Sequence, residues 1–124
     1  MKVCFNIKEV GIKLTYDDFE RIRKKTPHIA DMKPGGDYVM NSLDKIGGIP
    51  LIMKKLLDNN LIHGNSLTVT GKTIEENIKQ YKISSTVEQQ IVREIENPLH
   101  GVGTAVILKG TLAPDGAEIG RAHV

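Results

Sequence analysis

Hydrophobic and polar positions divide the chain into a first half with helical spacing and a second half with shorter apolar runs. In the first half, Thr15 and Asp18 form a capping signal ahead of the apolar positions Phe19 and Ile22. This pattern predicts a helix, and Pro27 should end it because the residue before a proline avoids the helical conformation.

A glycine- and proline-containing loop is predicted at residues 29–37, followed by a second helix at residues 38–46. The helix is indicated by four apolar positions on one face, which are Val39, Met40, Leu43 and Ile46. Gly47 and Gly48 should stop it.

A third helix is predicted to begin near Pro50, because a proline in the first turn of a helix loses no hydrogen bond. Its apolar residues between 51 and 57 should make a broad buried face, and Asn59 or Asn60 should close it in the left-handed conformation. The residues expected to face solvent are Lys54, Lys55 and Asp58.

From residue 61 the pattern favours strands and turns. The β-forming residues 67–70 predict a strand that ends at Gly71. Thr73 and Glu76 form a capping box that opens a short helix reaching Tyr81. Residues 83–90 are polar and are predicted to form a linker.

Two further strands are predicted near the end of the chain. Residues 91–95 suggest a short one, and residues 104–112 give the strongest strand pattern in the sequence. Residues 113–116, Ala-Pro-Asp-Gly, have turn chemistry, so a partner strand is expected after them.

Charge and composition exclude several classes of function. Seventeen Lys and Arg against fifteen Asp and Glu give a net charge of +2, with the signs mixed along the chain, so no nucleic-acid-binding face is expected. The basic residues of 21–25 follow acidic residues on one helix, as the helix dipole favours, and predict a solvated face. No apolar run approaches the roughly 20 residues of a membrane span. Cys4 is the only cysteine, which excludes an internal disulfide and is consistent with the cytoplasm.

Residues with catalytic or ligand chemistry are scattered. The four histidines, His28, His63, His100 and His123, show no spacing that places two rings on one helical face. His63 is expected to have a structural role or to orient a ligand-binding residue. Carboxylates that can pair for acid–base work are Asp31, Asp37, Asp44 and Glu96, but the sequence sets no distance between them.

Glycine-rich segments raise the question of a phosphate site. Residues 33–36 and 47–48 can cradle a phosphate at a helix start, and residues 71–73 resemble the end of a P-loop. That motif requires a glycine at position 66, which is Ser66, so a turn before a capped helix is the better interpretation.

Several long motifs follow one another in a fixed order. They are residues 27–36, 38–40, 47–50, 61–64, 67–73, 76–77, 96–98, 108–110 and 112–117. In this order they resemble the dihydroxy-acid dehydratases of the family that also contains phosphogluconate dehydratase, over residues 11–117. Asn65, where Asp is usual, and Thr111, where Asn is usual, depart from the family pattern.

The resemblance implies a two-domain iron–sulfur enzyme, of which this chain is an internal α+β fragment. Residues 1–64 would form the helical end of an α/β cluster-binding N-terminal domain, and residues 65–117 the first strands of a C-terminal β-barrel domain, with the junction near 64–85. Residues 118–124 resemble a translated sequencing adapter and are expected to be a non-native tail. Residues 1–9 do not match the apolar helix expected before Gly11.

The implied reaction is the dehydration of 2,3-dihydroxy-3-methyl acids to 2-keto acids in valine and isoleucine biosynthesis. The full-length enzyme would be a cytoplasmic homodimer that uses an iron–sulfur cluster and Mg²⁺, acts on a small dihydroxy acid, and has no nucleic-acid or membrane partner. In the family, the ligands and the catalytic serine lie outside the matching region, and Cys4 stands outside it too. We therefore expect no catalytic, cofactor-binding or metal-binding residue and no bound cofactor in this chain, which should be inactive alone.

Two alternatives remain open. One is a fragment of a sugar-acid dehydratase of the same family, although residues 29–31 and 38–40 favour the branched-chain type. The other is a standalone binding or scaffold protein without catalysis. Such a protein would melt cooperatively as a stable monomer or dimer, whereas a fragment would expose its core and aggregate.

Overall fold

The computed structural model describes residue 11 and residues 13–81 and 90–117. These residues form four α-helices and one two-stranded antiparallel sheet, which confirms an α+β chain. The chain separates into two compact units: unit 1 joins the residues up to Thr26 with those from Val102 onward, and unit 2 is Pro27–Gly101. No helix in the described part is long and apolar enough to cross a membrane. The elements are α1 (Tyr16–Lys25), α2 (Met40–Lys45), α3 (Gly48–Asp58), α4 (Ile74–Gln80), β1 (Leu108–Gly110) and β2 (Ala113–Ala117).

Some predictions fall outside the described residues. These are the ones on residues 1–9 with Cys4, on the linker from 83 to 89, and on the tail 118–124 with His123.

Helix α1 of unit 1 begins as its capping signal predicts. The Asp18 carboxylate accepts hydrogen bonds from the Thr15 backbone N–H at 2.9 Å and from the Thr15 hydroxyl at 2.8 Å. The helix stops at Thr26, directly before Pro27. The two bonds from Thr15, followed by the bond from Arg21, lower the pKa of Asp18 from 3.8 to about 2. The start of α1 is therefore stabilised by an ionised carboxylate.

The stability of α1 depends on pH because of the Asp18 carboxylate. Because the pKa of Asp18 is lower in the folded chain than in the unfolded one, its stabilising contribution is complete above about pH 4 and is lost as the pH falls through about 2. We expect Asp18→Asn to remove this acid-induced loss of helical circular dichroism. Asp115→Asn, at an exposed carboxylate of β2, should leave it unchanged. Identical acid titrations of Asp18→Asn and the parent would contradict the assignment.

The sheet of unit 1 differs from the predicted strand and turn. Only Leu108–Gly110 of the predicted strand 104–112 is extended, and the predicted turn 113–116 lies within β2. Leu108 pairs with Ala117 and Gly110 pairs with Ala113. Three residues of β1 therefore lie opposite five residues of β2, so β2 bulges. Gly116 takes a φ of +93° in this bulge. Turn-forming residues thus bend a strand here, and the chain reverses instead at residues 111–112.

Helix α2 of unit 2 is shorter than predicted and buries a narrower face. Leu43 and Ile46 are buried, but Val39 is 47% and Met40 60% exposed. The predicted first residue, Tyr38, does not join the helix because its backbone carbonyl accepts a hydrogen bond from Lys33 N–H at 2.7 Å. The loop before α2 therefore sets where the helix begins.

Helix α3 has the predicted start and end. Pro50 lies in its first turn, and Asn60 follows it in the left-handed conformation, with φ of 57°. The predicted buried face is only half-buried, since no residue of α3 is fully buried. The prediction for Lys55 was wrong: its side chain is 15% exposed and pairs with the Glu94 carboxylate.

Helix α4 has the predicted reciprocal cap. Thr73 N–H donates to the Glu76 carboxylate at 2.7 Å, and Glu76 N–H donates to the Thr73 hydroxyl at 3.2 Å. These contacts lower the pKa of Glu76, chiefly through the backbone N–H of Thr73.

The segment before α4 is a closed turn and not the predicted strand 67–70. Leu67 makes a single bridge to Thr73, while the Thr68 N–H and hydroxyl both donate to the Lys72 carbonyl. The predicted strand 91–95 was also wrong, because Val92 makes one bridge to Ala30 and a turn follows. Among the described residues, each of these two β-forming segments makes only one isolated bridge and does not extend into a strand.

The core of unit 2 joins segments far apart in sequence. Residues 28–31 run antiparallel to residues 91–100, with Asp31 N–H donating to the Ile91 carbonyl at 2.9 Å and Arg93 N–H to the Ile29 carbonyl at 2.8 Å. Through this pairing, the side chains of Ile29, Ile91 and Val92 pack in one cluster with the buried residues at α2. The resulting core is Ile29, Leu43, Ile46, Ile91 and Val92.

Candidate functional site

The loop at residues 31–38 is closed by its own backbone. Gly36 N–H donates to the Met32 carbonyl at 2.9 Å, and Tyr38 N–H donates to the Asp31 carbonyl at 3.2 Å. The Asp31 carboxylate turns inward and accepts from Asp37 N–H at 3.3 Å. A Cβ on Gly36 would stand 2.1 Å from Asp31 Oδ1, so only glycine fits. The loop thus holds the Asp31 carboxylate against the backbone of Asp37.

A polar cleft of about 600 Å³ lies beside this loop, within unit 2. The Tyr38 hydroxyl donates to Gln90 Oε1 at 3.2 Å and so joins the loop to the segment that follows residue 89. The residues that line the cleft are Asp31, Asp37, Tyr38, Gln90, Arg93, Glu94 and Asn97.

The charged groups of the cleft are unequally paired. Glu94 forms an ion pair with Lys55, which neutralises it. Arg93 has no side-chain hydrogen bond or ion pair within the described part of the chain. A free guanidinium offers a fork of donors to a carboxylate, and the Asp31 and Asp37 carboxylates accept from hydroxyls. The cleft can therefore contact a polar molecule that bears a carboxylate and a hydroxyl, and the described residues that line it include no activated nucleophile.

Two histidines that are remote in sequence meet in unit 2. The rings of His28 and His100 stack with centroids 5.5 Å apart, and the His28 N–H donates to the His100 carbonyl at 2.9 Å. His28 Nε2 donates to the Ala30 carbonyl at 2.8 Å. The other ring nitrogen, His28 Nδ1, is buried and has no hydrogen-bond partner among the described residues. The pair therefore has a structural role in the 28–31 and 91–100 pairing.

The described residues contain no ligand set for a metal centre. Among them there is no group of three His, Cys, Asp or Glu side chains placed to hold an ion. The sole cysteine of the sequence, Cys4, lies outside the described part.

Comparison with known proteins identifies the family. The family described as "Dihydroxy-acid/6-phosphogluconate dehydratase N-terminal" matches residues 6–77. The chain belongs to this family. The matched segment starts a few residues before Gly11, where the sequence motifs place the beginning of the resemblance.

Curated members of this dehydratase family match over 111 residues, which is 90% of the chain. The chain is 59% identical to a dihydroxy-acid dehydratase of Saccharolobus solfataricus, 56% to one of Sulfolobus acidocaldarius and 54% to one of Sulfurisphaera tokodaii. The matched region is 20% of each relative, so the chain spans about a fifth of the length of these dehydratases.

The carboxylates singled out from the sequence of this dehydratase-family chain are only partly brought together. Asp31 and Asp37 line the cleft, whereas Asp44 and Glu96 do not. Arg93, the one cation among the described residues that line the cleft, was missed because no local pattern distinguishes it from other surface arginines.

The glycine-rich segments of this family member have structural uses. Gly36 encloses the Asp31 carboxylate, and Gly47 and Gly48 connect α2 to α3 with positive φ values. The residues that resemble the end of a P-loop form the turn before α4, where the Thr73 hydroxyl is occupied by its bonds to Glu76. His63 is exposed, and its carbonyl accepts from Ser66 N–H at 3.4 Å.

Proposed function

We propose that the sequence of this chain is one part of a dihydroxy-acid dehydratase, a hydro-lyase that converts 2,3-dihydroxy-3-methyl acids to 2-keto acids for valine and isoleucine synthesis. The observation that carries the proposal is the 54–59% identity to curated dihydroxy-acid dehydratases over 90% of the chain. The closed loop at 31–38 supports it, because this loop carries a family motif and places Asp31 and Asp37 beside a polar cleft.

The iron–sulfur cluster and Mg²⁺ proposed for the complete enzyme do not fit the described residues. A cluster needs thiolates, and the described part contains none; a divalent ion needs several oxygen ligands, and no group of three is present there. No step of the reaction is therefore assigned to these residues. We propose that the 124-residue chain is inactive by itself.

The proposed domain arrangement places residues 1–64 at the helical end of the cluster-binding domain and residues 65–117 at the start of the β-barrel domain. Its junction interval, 64–85, contains the last residue of the family match, Asn77, which supports it. We further propose that the complete enzyme is a cytoplasmic homodimer with a small dihydroxy acid as its substrate. The evenly mixed charges of this chain agree with the absence of a nucleic-acid partner.

A sugar-acid dehydratase is the second candidate, because the description of the matched family names 6-phosphogluconate as well as dihydroxy acids. The test is an assay of the product of the complete gene with each substrate in turn. We expect a 2-keto acid from 2,3-dihydroxy-3-methylbutanoate and negligible turnover of 6-phosphogluconate. The reverse preference would replace the first candidate with the second.

A further inference from the structure

An apolar groove of about 370 Å³ lies in unit 2, separate from the polar cleft. Among the described residues, no charged side chain lines it. One wall comes from Ile49, Pro50 and Met53 of α3, and the other from Ile74 and Ile78 of α4 and from Tyr81, the residue after it. Most of the surface that the described residues contribute to the groove is apolar, so burial of apolar surface is the main interaction it offers.

Val69 lines this groove and is 105% exposed on the turn before α4. The turn that carries it is tightly held: Asn77 Nδ2 donates to the hydroxyls of Thr68 at 2.7 Å and Thr70 at 2.9 Å. A turn of this kind normally carries polar residues. Here a β-branched side chain is presented to solvent on a backbone that has already lost its conformational freedom, which lowers the entropic cost of covering it.

Apolar exposure around the groove is not confined to Val69. Ile49 is 50% and Tyr81 60% exposed, and Leu67 on the same loop is 79% exposed. Single exposed apolar residues are ordinary, but several around one groove mark an interaction surface.

We propose that this groove is the surface on which an apolar segment of the rest of the dehydratase polypeptide packs, with Val69 at the centre of the contact. The proposal rests on the proposed function. Two observations favour this occupant over a small ligand or a second copy of the chain. The related dehydratases are about five times as long as the region they share with this chain, and the match to the N-terminal family region ends at Asn77, which lines the groove.

The test uses the S. solfataricus dihydroxy-acid dehydratase in which the 111-residue matched region is replaced by the residues of this chain. Val69→Cys and Asn65→Cys are made in this segment-exchanged enzyme, and the rate of maleimide labelling at each introduced thiol is read by mass spectrometry. Asn65 is exposed, lies on the same loop and does not line the groove, so it is the matched control.

We expect the thiol at position 69 to react at least about tenfold more slowly than the thiol at position 65 in the folded enzyme, and equally fast in urea, because a covered site reacts only after local opening. Equal rates in a folded and active enzyme would overturn the inference and leave the proposed function intact. Protection of position 69 in the 124-residue chain alone would also overturn the inference, because the chain's own residues would then cover the groove. If that protection rises with protein concentration, a second copy of the chain covers it. If the exchanged enzyme does not fold, the same two substitutions at the matching positions of the unmodified relative give the same readout.

Discussion

Leu43→Ala is expected to destabilise unit 2 by about 2–5 kcal/mol, the usual cost of removing a leucine side chain from a packed core. Leu43 is 1% exposed and contacts the core that joins residues 29, 91 and 92 to α2. Because this core holds together segments more than 40 residues apart, a cavity at its centre weakens the 28–31 and 91–100 pairing as well as α2.

The measurement is urea unfolding followed by circular dichroism, with Met40→Ala as the control. Met40 lies on the same helix but is 60% exposed, so its truncation should change the free energy of unfolding by less than about 0.5 kcal/mol. Similar losses for the two variants would show that α2 does not use Leu43 as its buried contact.

Gly36→Ala is expected to open the loop at residues 31–38. The new Cβ would lie 2.6 Å from the Asp31 carbonyl carbon and 2.7 Å from the Met32 nitrogen, in addition to its contact with the Asp31 carboxylate. A rotation of the Asp31 side chain relieves only the last of these contacts, because the other two involve backbone. Overpacking of this kind costs about 1–3 kcal/mol.

The neighbouring glycine provides a matched control for this variant. A Cβ on Gly35 meets nothing within 4 Å, so Gly35→Ala should be neutral or slightly stabilising. Amide hydrogen exchange at Tyr38, whose N–H donates to the Asp31 carbonyl, reports directly on the loop. Faster exchange in both variants, or in neither, would contradict the packing described around Gly36.

The features predicted correctly from the sequence are those fixed by a few adjacent residues. Two helix starts are specified by residues within one turn of chain, the first by Thr15 with Asp18 and the second by Thr73 with Glu76. Both starts are found where they were predicted. Asn60, after α3, takes the left-handed conformation for an equally local reason.

The predictions that were wrong depend on partners elsewhere in the chain. The β-forming residues at 67–70 close on Lys72, and residues 113–116 bulge within β2, because strand formation depends on which backbone lies alongside. Neither segment has a local sequence pattern that predicts the antiparallel pairing of 28–31 with 91–100. The cleft itself was not predicted for the same reason: Asp31 and Asp37 were named only as candidate carboxylates, and Arg93 is brought to them by that pairing.

The central claim, that this sequence is part of a dihydroxy-acid dehydratase, is tested most directly by the turnover of the segment-exchanged S. solfataricus enzyme. With 59% identity across the exchanged region, the enzyme should fold and dehydrate 2,3-dihydroxy-3-methylbutanoate within about tenfold of the parent rate, which corresponds to about 1.4 kcal/mol in the barrier. A folded, cluster-loaded enzyme without dehydratase activity would contradict the claim.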